Sequence, residues 1–379
     1  MQTEFFGTNS LQNIKKIISD VGAKKILLVT GKDSYIKSGA EEKLSKYLDK
    51  IYVERYYDFE VNPKIEDVYF GVSIVQKMMP DLIIAIGGGT VIDMAKLINI
   101  LSSQSNHSFI NIIKNSSLIS KKGMSPLVSI PTTSGTGSEA THFAVVYVEK
   151  RKYSLAHKFM LPEYVIVDSL LSNKIPKKIA ASVAIDALSQ AIESYWSVGA
   201  SNKSKQYAEK AIEIILSSIG QAVNENDQNA KDLMAIAANL SGKAINISKT
   251  TAAHAISYPI STHFNVPHGH AVGLLLGCFF EINANFEAHS INDSRGVSYV
   301  KNTMLQLFKL FGVESSLDCK LAWYKIMNNI GLETKISKLG VCSPEDIDLI
   351  VNNVNIERLN NNPVIISVKT LKNLLRSIS

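Results

Sequence analysis

Cysteine is scarce: Cys278, Cys319 and Cys342 are the three in 379 residues, an odd number at wide spacing. That excludes a disulfide framework and a zinc site built on Cys pairs, and it fits a reducing, cytoplasmic setting. Long apolar runs are missing too. No stretch reaches the ~18 residues needed to cross a bilayer, and the opening MQTEFFGTNSLQNIKK has no basic-then-apolar leader pattern, so no membrane association is expected. Charge of one sign is not concentrated. The net charge is +6, but the lysines (Lys15, Lys16, Lys24, Lys25, Lys43, Lys46, Lys121, Lys122) are scattered and form no basic, aromatic-interleaved stripe. No nucleic-acid partner is expected, whereas a mild cationic excess suits anionic small molecules. Internal repeats, low-complexity tracts and Pro- or Gly-rich linkers are also absent.

What is present is an ordinary globular composition, 46% hydrophobic and 20% charged, on a chain too long for one core, so two domains are expected. In the first half, KKILLVTG (24–31), IYVERYY (51–57), DLIIAIGGG (81–89), PLVSIPTT (126–133) and YVIVDS (164–169) read as strands. LQNIKKIISDV, GAEEKLSKYL, IEDVYFGVSIVQKM and VIDMAKLINILSS read as the helices between them. Near-continuous apolar strands separated by helices indicate a parallel, Rossmann-like sheet covered on both faces. After residue 178 the strand signal fades and amphipathic Ala-, Ile- and Leu-rich segments take over. The boundary is therefore set there: 1–178 as a dinucleotide-binding α/β domain, 179–379 as an all-α metal- and substrate-binding domain. The stretch NNVNIERLNNNP (352–363) reads as a loop.

Two loops carry the chemistry of the first half. DLIIAI runs straight into Gly87, Gly88, Gly89 and Thr90 and then into a helix. Glycines let the backbone approach a ligand, and a helix N-terminus presents unpaired N–H groups; together they suit a diphosphate. The second loop, Pro131 to Glu139, follows another apolar strand with hydroxyls and flexible backbone where a nicotinamide and its ribose can be held. Loops at the carboxyl ends of parallel strands are where open sheets bind ligands.

GGGTVIDMAK and IPTTSGTGSEAT, followed by the PHG motif at residue 267, resemble in content and order the signatures of iron-containing (group III) alcohol dehydrogenases over roughly residues 5–280. The resemblance implies a dehydroquinate synthase-like fold and a nicotinamide-dependent oxidoreductase. It implies that Gly87, Gly88 and Gly89 hold the diphosphate, that Asp93 supports their loop, and that Thr132, Thr133 and Thr136 lie near the diphosphate and nicotinamide. Asn62 matches another cofactor contact, and Lys152 matches a lysine near the nicotinamide ribose. Family members that prefer NAD place an Asp after the first strand; this chain has Gly31 and Lys32, with Ser34 following. Without the carboxylate a 2′-phosphate is not repelled, and Lys32 supplies a cation for it, so NADPH is the expected cofactor, with use of NADH as well as the alternative.

The same family holds one divalent ion, Fe2+ or Zn2+, through an Asp and a His one helical turn apart, a spacing that brings both to one helix face, and through two later histidines. The resemblance assigns Asp186, His254 and His268. Gln190 stands where the first His is expected, and Tyr258 replaces a further family His. Three arrangements stay open: Gln190 completes the ligand set as a weak, hard donor; three ligands and a water hold the ion; or the group is a metal-free hydrogen-bonding cluster. In each, hydride reaches an aldehyde whose oxygen needs stabilisation, and His270, His254, Tyr258 or water returns the proton. His107, His142, His157, His263 and His289 are given no catalytic role.

VTGKDSYIKSGA, FAVVYVEKRKYSLAHKFMLP, DALSQAIESYWS and VPHGHAVGLLLG resemble one branch, the phosphonoacetaldehyde reductases (hydroxyethylphosphonate dehydrogenases). That implies an anionic aldehyde, a product in phosphonate biosynthesis and a homodimer. Lys158, Lys203 and Lys205 are then candidates for the phosphonate, against the plainer reading of each as a surface lysine. The rivals are a reductase of short neutral or diol-forming aldehydes, a dehydroquinate synthase-like cyclase with no net cofactor turnover, and a cofactor-binding protein with a degraded metal site.

Overall fold

The computed structural model describes residues 2–149 and 151–379, and its backbone contacts divide the chain into Met1–Ile175 and Pro176–Ser379. Among the described residues the first unit holds eight strands: β1 (Thr3–Phe6), β2 (Lys25–Thr30), β3 (Tyr52–Tyr56), β4 (Leu82–Gly87), β5 (Leu127–Pro131), β6 (Phe143–Val148), β7 (Arg151–Ala156) and β8 (Tyr164–Val167). Six form one parallel sheet in the order β1-β8-β5-β4-β2-β3. Side chains alternate across a strand, so an all-apolar strand needs cover on both sides. In β4, Leu82, Ile84 and Ile86 pack with Ile26, Leu28, Val128 and Ile130 on one face. Ile83 and Ala85 pack on the other face with Met94, Leu97 and Ile98 of the helix Gly89–Ser102. From β2 the chain pairs β3 on one side and later returns to β4 on the other. That reversal is the switch point at which doubly wound sheets open a crevice at their carboxyl edge.

All five strands expected from the sequence are present, and the helix Ile65–Met78 has the expected bounds. Three strands are additional. β1 is four residues long and partly exposed against β8. β6 and β7 form a separate antiparallel hairpin, tied to the loop after β3 by Tyr147 N donating to Pro63 O at 2.8 Å. The exposed polar residues of β7 conceal its alternation. The segment from Leu11 begins as a 3-10 turn, Ser10–Asn13, before the helix Ile14–Val21.

The second unit is helical, and its central helix is Lys177–Trp196, buried without a break from Ala184 to Trp196. It shares one core with Ala208, Ile212 and Ile215 of Asn202–Gly220, with Ala237 and Ala244 of Gln228–Ser248, and with Leu274 and Phe279 of His268–Ala284. The Asn-rich stretch is not the free loop expected. Pro259 interrupts the helix Ala252–Phe264 and cannot donate to the carbonyl of Ala255; Asn355 N takes that carbonyl at 3.4 Å. Asn361 Nδ2 bonds Ser248 O and Thr250 O at 2.8 and 2.9 Å, and Asn362 is fully buried. The segment therefore pins the entry to that helix. No described helix is long and apolar enough to cross a membrane.

Candidate functional site

In the first unit, Gly87 ends β4, Gly88 caps the helix Gly89–Ser102, and the helix N-terminus opens beside the second loop. A Cβ on Gly87 would lie 2.5 Å from Val91 Cγ2, and one on Gly89 would lie 3.0 Å from the Thr136 side chain. One on Gly88 would meet nothing nearer than Thr133 at 3.7 Å. Gly87 is thus required by packing and Gly88 is not. Thr132 N donates to Gly87 O at 3.0 Å, so β5 delivers Thr132, Thr133 and Thr136 against the glycine turn and Thr90.

Asp93 and Lys96, one and two turns into that helix, fasten the arrangement. Asp93 accepts from Ser138 Oγ at 2.5 Å and from Val145 N at 2.9 Å. Burial pushes its carboxyl pKa up, opposed mainly by the Lys96 charge. Lys96 Nζ donates to Ser138 O at 2.5 Å and to Thr141 Oγ1 and Phe143 O at 3.0 Å; burial pushes this amine down to about 8. Lys152 lies on β7 opposite Tyr147, and its charge also acts on Asp93. Asn62 sits exposed with a positive φ of 68° just before Pro63.

At the end of β2, Gly31 admits the Ser34 hydroxyl: a Cβ there would come within 2.2 Å of Ser34 Oγ. Lys32 and Ser34 are exposed. Arg55, from β3, closes the turn from behind. Its Nε donates to Thr30 Oγ1 at 2.8 Å, and its Nη2 donates to Gly31 O and Lys32 O, both at 3.1 Å.

The second unit brings Asp186, His254 and His268 together from three helices, with their donor atoms within 4.8 Å of one another. His254 Nε2 is 3.3 Å from Asp186 Oδ1. Gln190, one turn after Asp186, donates from Nε2 to Asp186 Oδ2 at 3.2 Å. Its Oε1 is buried and has no hydrogen-bond partner among the described residues. A second carboxylate stands behind His254. Glu193 Oε2 pairs with His254 Nδ1, while Oε1 accepts from Thr251 N, Thr251 Oγ1, Ala253 N and His254 N at 2.8–3.3 Å. Burial pulls the His254 imidazole down, but Glu193 and Asp186 outweigh it and hold it up at about 9. The His268 ring lies stacked on Tyr258, 5.7 Å between centroids at 16°, with Nδ1 3.4 Å from Ser257 Oγ.

A divalent ion fits these residues. A carboxylate and two imidazoles converge, one imidazole is fixed through its far nitrogen by a carboxylate, and a lone amide oxygen is left beside them. His270, two residues after His268, is 2% exposed, and its Nε2 donates to Glu333 O at 2.7 Å. Lys205 donates to Thr303 Oγ1 at 2.9 Å and lies over the Tyr195 and Tyr299 rings. Tyr195 follows Asp186 by nine residues on one helix, about half a turn out of phase, so Lys205 is not brought to the trio. Lys203 lies over Tyr207, and Lys158, in the first unit, over Phe159.

Lys96 closes the GGGTVIDMAK signature but was given no role from it, and Glu193 and Arg55 belong to no motif. Glu193 had a legible signal: Asp186, Gln190 and Glu193 form a polar stripe at helical spacing on an otherwise apolar helix.

Comparison with known proteins agrees with this division. The family described as iron-containing alcohol dehydrogenase matches residues 2–169, and the C-terminal domain of Fe-containing alcohol dehydrogenases matches 180–379. Long-chain-alcohol dehydrogenase 1 of Geobacillus thermodenitrificans is 34% identical over 275 residues, 71% of this chain and 69% of that enzyme. The NADPH-dependent butanol dehydrogenase of Clostridium saccharobutylicum is 31% identical over 74% of this chain and 72% of its own. The crystal structure of sulfoacetaldehyde reductase from Bifidobacterium kashiwanohense in complex with NAD+ superposes with a TM-score of 0.87 at 27% identity, covering 100% of this chain and 96% of that one.

Proposed function

As the chain belongs to the iron-containing alcohol dehydrogenase family, we propose that it reduces phosphonoacetaldehyde to 2-hydroxyethylphosphonate with NADPH. An NAD(P)-dependent alcohol or aldehyde dehydrogenase is what the family provides, on the dehydroquinate synthase-like fold. The observation that carries the reading is the Asp186–His254–His268 group with an amide, Gln190, where the family has an imidazole. This substitution belongs to the segments that resemble the phosphonoacetaldehyde reductase branch. A sulfoacetaldehyde reductase among the structural relatives supports an aldehyde with an anionic group on the next carbon. An NADPH-dependent relative supports the cofactor, as does the absence of an acidic residue from Thr30 to Lys32.

Asp186, His254 and His268 would hold a divalent ion, with Gln190 Oε1 as a fourth donor; bound there, such an ion supplies a Lewis acid to the carbonyl oxygen. The chain's own residues do the rest. Glu193 fixes the His254 tautomer, and Tyr258 and Ser257 fix the His268 ring. The Tyr258 ring, stacked on His268, stands with His254 and water as a candidate donor to the new alkoxide, and burial pushes its phenol pKa up. His270, bound to the Glu333 carbonyl, is not assigned that step. The glycine turn with Thr132, Thr133 and Thr136 holds the diphosphate and nicotinamide, with Lys152 and Asn62 as further contacts.

The test is NADPH oxidation with phosphonoacetaldehyde, sulfoacetaldehyde and propanal. The expected order of kcat/KM is phosphonate first and propanal last by at least tenfold. Equal or better use of propanal overturns the substrate. Cofactor binding without oxidation by any aldehyde returns the reading to a binding protein.

A further inference from the structure

Among the described residues, Arg55 is a cation that the fold fixes against the turn after β2. Leu28 of β2 pairs with Arg55 of β3, and the Arg55 side chain runs on towards the carboxyl edge to reach Thr30 Oγ1 and the carbonyls of Gly31 and Lys32. Its guanidinium is held between two rings, 4.7 Å from the Tyr35 centroid and 4.4 Å from that of Tyr57. Planar stacking plus three hydrogen bonds fixes the fork in one orientation before any ligand arrives. Nη1 donates to no atom of the described residues. Of the nearby carboxylates, Asp33 pairs with Lys37 at 3.1 Å.

The sheet order supplies the distance argument. A diphosphate at Gly88 and Gly89 sits at the end of β4, the Gly31–Ser34 turn lies one strand over at β2, and Arg55 comes from β3, one strand further. Neighbouring strands are about 4.8 Å apart, and the guanidinium reaches back from β3 to the β2 turn, so it stands roughly one strand spacing over from the end of β4, within reach of a ribose carried by the diphosphate. We propose that Arg55, acting with Lys32, binds the 2′-phosphate of NADPH and sets the preference for the phosphorylated dinucleotide. The inference rests on the cofactor assignment made above. With Nε and Nη2 held by the turn, Arg55 offers a phosphate the two N–H groups of Nη1 on a charge fixed in place, whereas Lys32 on its exposed turn offers only a mobile point charge.

The experiment uses the full-length protein. Calorimetric titration of the wild type with 2′,5′-ADP and with 5′-ADP comes first, followed by R55Q, R55K and K32A. In parallel, the ratio of kcat/KM with NADPH to that with NADH is measured for each. The expected result is tighter wild-type binding of 2′,5′-ADP. R55Q should lose about tenfold to a hundredfold of that preference, the range of a charge-assisted contact, with R55K intermediate. A wild type that does not distinguish the two probes sinks the NADPH assignment and the role of Arg55 together. A wild type that does distinguish them, with R55Q keeping the full preference, sinks Arg55 alone. R55Q losing affinity for both probes in equal proportion makes Arg55 a brace for the turn, which also overturns the proposal.

Discussion

Glu193 serves two neighbours with one carboxylate. One oxygen takes four donors from Thr251, Ala253 and His254, and so caps the helix that carries His254. The other holds the proton on His254 Nδ1 and leaves Nε2 towards Asp186. Glu193→Gln separates these tasks. The amide oxygen still accepts the backbone donors, but the amide NH2 must face Nδ1, which drives the imidazole proton to Nε2. Zinc affinity is then expected to fall about tenfold to a hundredfold, as for other carboxylates behind metal-binding histidines, with the melting temperature of the metal-free protein little changed. Calorimetry with Zn2+ measures this, and unchanged affinity would remove Glu193 from the site. Gln190→His works in the opposite direction. It replaces a weak neutral donor by imidazole on the same helix face, so competition against a chromophoric chelator should register tighter zinc binding. No gain would mean that position 190 does not reach the ion.

The glycine turn separates packing from binding at the scale of an element. Gly87→Ala places a methyl within 2.5 Å of Val91 and should destabilise the protein by about 1–3 kcal/mol in urea denaturation, with relief from Val91→Ala in the same chain. Gly88 has φ −78° and ψ −173°, open to any residue, and room for a methyl. Gly88→Ala should therefore leave the urea midpoint where it is and weaken NADPH binding by at least about tenfold; unaltered binding would mean that no ligand approaches Gly88. What the sequence disclosed follows the same division. The four central strands, β2, β4, β5 and β8, were legible because burial on both faces makes them largely apolar, β3 at the edge through its Val and Tyr content, and the trio through motif order. β1 and the β6–β7 hairpin were not, since short edge strands and mixed polar alternation look like loop. Nor were Arg55 and Glu193, because each acts on groups distant in sequence, and only the sheet register or helix packing shows which.

Across the whole chain the ion and the nucleotide have separate structural consequences. Asp186, His254 and His268 belong to three helices of the segment after Ile175, whereas the glycine turn and its threonines belong to the segment before it. A ligand that binds only the folded state stabilises it by about 2.7 kcal/mol at a hundredfold excess over Kd, and the gain protects first the elements it ties together. Hydrogen exchange of the chelator-treated protein should thus show faster exchange in the helices Lys177–Trp196, Ala252–Phe264 and His268–Ala284 than in the zinc-loaded form. β4 and the helix Gly89–Ser102 should be unchanged by the chelator and instead slow when NADPH is added. The expectation for the three helices has a physical reason. Asp186 and Glu193 set two buried carboxylates beside one imidazole, His254, and a divalent ion at the trio would add countercharge to them. Identical exchange in those helices with and without zinc would show that the trio is satisfied on its own, and would make it a hydrogen-bonding cluster with no metal role.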